Sequence, residues 1–184
     1  MFNKSLFESG TSKEIEIPEN TGIIFVSDLF SSDYPGGAEL TTDSLIETSP
    51  YNVFKVHSHN VTSDLISKGA SKYWIFGNFS RLNNELIPSI VSSLKYSIIE
   101  YDYKYCIFRS PEKHEKAELK PCDCSQRMNG KIVSAFMYGS DSIWWMSENQ
   151  MKHYHELFPF LAEKENNVLS SIFNLEFFDK IDTL

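Results

Sequence analysis

The sequence predicts an α/β fold: a three-layer α/β/α Rossmann-like domain around a mostly parallel sheet of about six strands. Three observations carry this reading. Short apolar runs rich in β-branched residues recur along the chain, as in Ile23-Ile24-Phe25-Val26. Segments of helical periodicity separate them. Glycine, proline and asparagine mark the joints. Strands buried on both faces read as continuous apolar runs rather than as alternation. Runs of that kind separated by helices imply βαβ units.

Residues 1–21 are polar and are expected to form an extension, with Lys13-Glu14-Ile15-Glu16-Ile17 as a short edge strand ending at Pro18. The Rossmann-like domain is placed at 22–184. Its first strand is 22–28, followed by a glycine-containing loop to Gly37 and a short helix over 38–45. A second strand, 52–57, leads to a helix over 61–68 that Gly69 stops. The third strand is 72–78. Leu86, Ile90 and Leu94 repeat at i, i+4, i+8, with Ile87 and Val91 alongside, so a helix follows. Asn83 or Asn84 caps it, and Pro88 is tolerated because it falls in the first turn. The fourth strand is 96–101. A polar stretch at 102–130 breaks the pattern and reads as an insertion. Ile132, Ala135, Phe136 and Gly139 have helical spacing again. Ser142–Ser147 is a fifth strand, in which one of Trp144 and Trp145 is buried and the other faces a helix layer. Met151, Tyr154, His155 and Phe158 line a helix that stops at Pro159. Residues 167–173 form the sixth strand.

The 184 residues suit one domain, and 41% hydrophobic against 23% charged residues excludes wholesale disorder. Seventeen Lys and Arg against 25 Asp and Glu leave a net charge of −8, which argues against a nucleic-acid partner. No apolar run approaches the roughly 18 residues of a membrane span. The N-terminus lacks the basic start and apolar core of a secretory signal. Three cysteines without an export signal are read as reduced thiols in a cytoplasmic protein. The Asn-x-Ser/Thr triplets at Asn60 and Asn78 are then chance matches.

All three cysteines fall inside the polar stretch. Cys106, His114, Cys122 and Cys124 are spaced C-x7-H-x7-C-x-C. Zinc takes four tetrahedral nitrogen and sulfur ligands in structural sites, and three cysteines with one histidine is a common set. The surrounding residues are too polar to form a core, and a metal clip would order them. Free thiols in a loop are the alternative. His57 and His59 alternate at a strand end, but no third ligand lies near them in sequence. Cys106 and His114 do not make a persuasive nucleophile and base, because nothing places an oxyanion donor beside them.

In an open parallel sheet, ligands bind at the carboxyl ends of the strands. That rule nominates Asp28, Asn78, Asp102 and the turn Gly36-Gly37-Ala38-Glu39. Paired glycines let a ligand approach the backbone, and the helix that follows offers free N–H groups to an anion. An ordinary strand-to-helix turn is the plainer reading of the same residues. Neither G-x-G-x-x-G nor G-x-x-x-x-G-K-[ST] occurs.

The order of these pieces resembles a family. A strand, then Ser27-Asp28-Leu29-Phe30, then Tyr34-Pro35-Gly36-Gly37-Ala38-Glu39 opening a helix, looks like the start of the N-terminal domain of GT-B glycosyltransferases of the glycosyl transferase group 4 type. Ile143–Ser147, the helix ending at Phe158-Pro159 and Val168–Phe173 are similar to the last strands of that domain. The resemblance implies a Rossmann-like acceptor domain that works on a sugar acceptor and a nucleotide-sugar donor. Gly36, Gly37, Glu39 and Asn78 would bind substrate or donor, and Asp102 would be the catalytic candidate. Tyr101-Asp102 stands where the family has His-Asp. The second Rossmann domain, with the residues that hold the donor, has no counterpart here. The expectation is therefore half an active site, inactive alone, completed by a C-terminal donor-binding domain or a separate chain. The rival expectation is a non-catalytic binding or interaction module on the same fold, with a structural zinc site shaping a partner surface.

Overall fold

A computed structural model of the chain describes residues 15–173. Six strands alternate with helices in chain order: β1 (Ile23–Ser27), α1 (Gly37–Thr48), β2 (Val53–His57), α2 (Ser63–Lys68), β3 (Tyr73–Phe76), α3 (Ile87–Ser93) and β4 (Lys95–Glu100). There follow α4 (Pro111–Glu118), α5 (Met128–Gly139), β5 (Ser142–Trp145), α6 (Glu148–Leu157) and β6 (Glu165–Val168). The strands form one sheet in the order β2-β1-β3-β4-β5-β6. Every pairing is parallel. The chain winds outward from β1 to β2, then crosses back to β3 on the other side of β1. The carboxyl ends of β1 and β3 therefore make the switch point, where open α/β sheets build their sites.

The sheet separates two apolar layers by strand alternation. Ile24, Val26, Trp74, Phe76, Tyr96, Ile98, Ile143 and Trp145 face the larger core, with Leu65 and Ile66 of α2, Ile90 of α3, Phe136 of α5 and Tyr154 of α6. Phe25, Ile75, Ile99 and Trp144 point the other way, toward Leu45 and Ile46 of α1. Here lies a groove of about 680 Å³. Trp145 is fully buried while Trp144 lines the groove, so the two indoles serve opposite faces.

The caps explain the helix boundaries. Thr62 accepts from the Leu65 amide, and Ser147 accepts from that of Gln150. Asn83 accepts from the Glu85 amide in the turn that enters α3. Gly69 stops α2, as expected.

Three segments differ from the sequence reading. Residues 15–17 are not a strand; Ile15 and Ile17 pack against the core instead, and Lys13 and Glu14 lie outside the described residues. The sixth strand starts at Glu165 and ends at Val168, earlier than the apolar run 167–173 suggested. Its asparagines hold it there: Asn166 accepts from the Trp145 indole at 2.8 Å and donates to the carbonyls of Leu161 and Lys164. The polar stretch contains a helix, α4, and α5 begins inside it at Met128.

Candidate metal centre

The chain leaves β4 at the carboxyl edge of the sheet and makes two tight turns. The Cys106 amide donates to the Tyr103 carbonyl, and the Arg109 amide donates to the Cys106 carbonyl, both at 2.9 Å. Arg109 has a left-handed backbone, φ 56°. Ser110 then caps α4 by accepting from the Lys113 amide, and Pro111 stands in the first turn. Leu119, also left-handed at φ 53°, ends the helix. The chain returns through Cys122 and Cys124 into α5.

This path brings Cys106, His114, Cys122 and Cys124 together, with all four donor atoms within 4.8 Å of one another. Cys106 Sγ lies 3.6 Å from Cys122 Sγ and 3.6 Å from His114 Nδ1, and Cys124 Sγ lies 3.2 Å from the same nitrogen. A tetrahedron with Zn–S bonds of about 2.3 Å and Zn–N of about 2.0 Å has edges of roughly 3.5–3.8 Å. The four residues are therefore a group that can hold a metal ion, and the cysteines are not bridged to one another. His114 is fully buried, and its Nε2 has no hydrogen-bond partner among the described residues. The Phe108 ring packs on it at 5.2 Å instead. An imidazole buried this way has only sulfur for polar company at Nδ1, and a bond to metal would compensate its desolvation. Burial pushes the Cys122 thiol well above its ordinary pKa, and the neighbouring Cys106 adds to the shift. Metal uptake would accordingly release protons.

Gly130, in the first turn of α5, completes the centre. A Cβ there would overlap the carbonyl of Cys124 and come within 2.7 Å of Ser125 Cα. Only a glycine lets α5 approach the loop that carries Cys122 and Cys124.

The same excursion delivers Arg109 to the switch point. Its Nε donates to Asp102 Oδ2 at 2.6 Å and its Nη2 to Asn78 Oδ1 at 2.7 Å, while Nη1 stands 3.6 Å from Asp28 Oδ2. Asp28 is a keystone for three loops. Its carboxylate accepts from the Ser58 hydroxyl, the Ser80 amide and hydroxyl, and the Arg81 amide. Burial alone would raise its pKa, but these hydrogen bonds together hold it below the usual carboxylate value. Below it, Glu100 is wholly buried beside Lys104, whose Nζ is 3.3 Å from Oε2. Burial drives Glu100 far above the carboxylate range, the Lys104 charge opposes this, and Asp102 adds to it. A cavity of about 660 Å³ with a mixed lining opens here, between Ser80, Asn83, Lys104 and Arg109 on one hand and Phe79 and Ile107 on the other.

Of the residues nominated from sequence, Asn78 and Asp102 meet on Arg109. Gly36 and Gly37 open α1 elsewhere on the carboxyl edge, where a Cβ on Gly36 would overlap the Glu39 carboxylate. That carboxylate thus folds back over the turn. Around Gly37 there is free space. His57 and His59 stack at 5.5 Å, and His57 Nδ1 lies 3.3 Å from the Asp28 carbonyl oxygen. They belong to no three-residue metal group among the described residues. Arg109 and Gly130 escaped the sequence reading. The Ser-Pro-Glu start of α4 was a legible cap signal, obscured by the low apolar content of the helix.

The chain matches no protein-family model and no curated protein. No helix among the described residues is long and apolar enough to cross a membrane.

Proposed function

We propose that this chain is a non-catalytic binding module of the reducing cytoplasm. Cys106, His114, Cys122 and Cys124 hold a structural zinc that walls the cavity at the carboxyl edge. The reading is carried by one observation, the convergence of four buried or half-buried donors at near-tetrahedral spacing. Zinc bound there supplies rigidity: four protein ligands leave no open position for water or substrate. Most polar groups at the switch point bond to one another, Asp102 Oδ1 being buried without a hydrogen-bond partner, and this suits a shaped surface better than a reaction centre. Metal analysis tests the proposal. Purified chain should carry about one zinc, and Cys122→Ser should lose it together with amide protection over 104–126. Full protection without metal would overturn it.

A second reading has its own support. Asn78 and Asp102 converge at the carboxyl edge, where the resemblance to the acceptor-side domain of a GT-B glycosyltransferase would put ligand contacts. Arg109 neutralises Asp102 through Nε and Nη2, both on Oδ2, so that oxygen could act on a sugar hydroxyl only after Arg109 moves. The chain would then bind acceptor and part of a nucleotide-sugar, and need a donor-binding domain to turn over. Calorimetry with UDP- and GDP-sugars on wild type and Gly37→Val tests this. A Cβ there meets no neighbour, so millimolar binding lost in the variant supports the reading, and equal titrations reject it.

A further inference from the structure

The four ligands are not equally sheltered. Cys106, His114 and Cys124 are at most 1% exposed, while Cys122 is only half-buried. Cys122, the ligand residue that solvent reaches, has its Sγ 3.6 Å from Cys106 Sγ. Cys106 in turn sets the turn that holds Arg109, through its carbonyl to the Arg109 amide and its sulfur against the Ser110 carbonyl at 3.5 Å. An accessible thiol, a neighbour within reach and a mechanical link from that neighbour to the switch point are three separate features of one loop.

We propose that Cys122 and Cys106 form a peroxide-sensitive pair whose oxidation to a disulfide expels the metal and unlatches Arg109 from Asp102 and Asn78. This rests on the metal reading above. Held as a thiolate by the metal, Cys122 attacks one peroxide oxygen. The O–O bond breaks, Cys122 becomes a sulfenic acid, and the departing oxygen takes a proton to leave as water. Cys106 thiolate then attacks the Cys122 sulfur. The S–S bond forms, and the sulfenic oxygen leaves with a second proton as water. Two thiolates, one peroxide and two protons give one disulfide and two waters; the cysteines are oxidised and the peroxide is reduced. The metal keeps only His114 and Cys124, too few to retain zinc in a structural site.

Cys106 is the resolving partner because its bridge to Cys122 spans 15 intervening residues. A Cys122–Cys124 bridge would have to close over a single residue. Bonding shortens the sulfur separation from 3.6 Å to about 2.05 Å. That contraction falls on the turn carrying the left-handed Arg109.

The experiment uses full-length chain loaded with zinc. Absence of zinc after loading under reducing conditions would fail the metal reading itself, before oxidation is tested. With zinc bound, hydrogen peroxide is titrated while a chromophoric chelator reports free zinc and peptide mapping by mass spectrometry locates the disulfide. One zinc should be released per Cys106–Cys122 bridge, and dithiothreitol with added zinc should reverse it. Exchange of the Arg109 amide should rise at least tenfold on oxidation. Cys122→His keeps four nitrogen and sulfur ligands and removes the exposed thiol, so its zinc should survive the same titration. If that variant does not fold, the mapping on wild type still decides. A bridge between Cys122 and Cys124, sulfinic acid at Cys122 without a bridge, or zinc retained after peroxide would each overturn the proposal.

Discussion

Gly130 is pressed against the carbonyl of Cys124, with no room between them for a methyl group. The metal-binding loop and the start of α5 are thereby made a single packed unit, which Asn129 also ties by donating to the carbonyls of Lys104 and Tyr105, and Arg127 by its ion pair with Asp123. Gly130→Ala should destabilise the protein by about 1–3 kcal/mol, the ordinary cost of overpacking. It should also weaken zinc binding, because Cys124 must shift. Urea unfolding together with a competition assay for zinc checks both. Gly37→Ala is the control, since its surroundings are open.

Leu119 is 90% exposed and holds a left-handed backbone at φ 53°. A residue with a Cβ costs about 1–2 kcal/mol in that region. Leu119→Gly removes the strain, loses no buried surface, and returns part of the gain through the freer unfolded chain. The expected result is a protein as stable as wild type or up to about 1 kcal/mol more stable. A clear loss would mean that the Leu119 side chain has a partner.

Glu100 titrates against stability in a defined direction. Its folded pKa is raised from 4.5 to about 7 by burial, against the opposing charge of Lys104. The folded state therefore holds the proton more tightly than the unfolded chain. Its contribution is present below pH 4.5 and is lost as pH rises toward 7, by at most about 1.4 kcal/mol per pH unit. Glu100→Gln should abolish this slope. The free-energy difference between wild type and variant, followed by urea titration, should change over that window and stay flat above it. Asp28 works oppositely and lower: its depressed pKa contributes stability above 3.8 that falls away on further acidification.

Metal removal should act locally. Chelation is expected to expose amides of 103–127 while those of β1, β3 and β4 stay protected, because the strands bond to one another and most of the apolar core lies outside the metal-binding loop. Exchange followed by mass spectrometry separates this from global unfolding.

The sequence announced the sheet clearly, because a strand covered on both faces needs apolar residues at every position. Ile23–Val26 has no other reason to be so continuous. It announced the four metal ligands through composition: all three cysteines and a histidine gather in one mostly polar stretch. What it concealed has a common cause. The sixth strand is polar because it lies at an edge and is fixed by Asn166, so its pattern belongs to no template. Helix α4 borrows its order from the loop around it rather than from a greasy face. Arg109 is one of many charged residues until the fold brings Asp102 and Asn78 to it. Gly130 matters for a missing atom, which only a neighbouring carbonyl can reveal.

Asp28 ties the chain after β2 and the chain after β3 to its own loop through one carboxylate. Three connections that enter the fold at distant points of the sequence thus share a single fastening. Their opening should be all-or-none, with the amides of Ser80 and Arg81 exchanging at one common rate. A change of charge at this one position would loosen a whole rim of the molecule, so the carboxyl edge tolerates variation only one loop at a time.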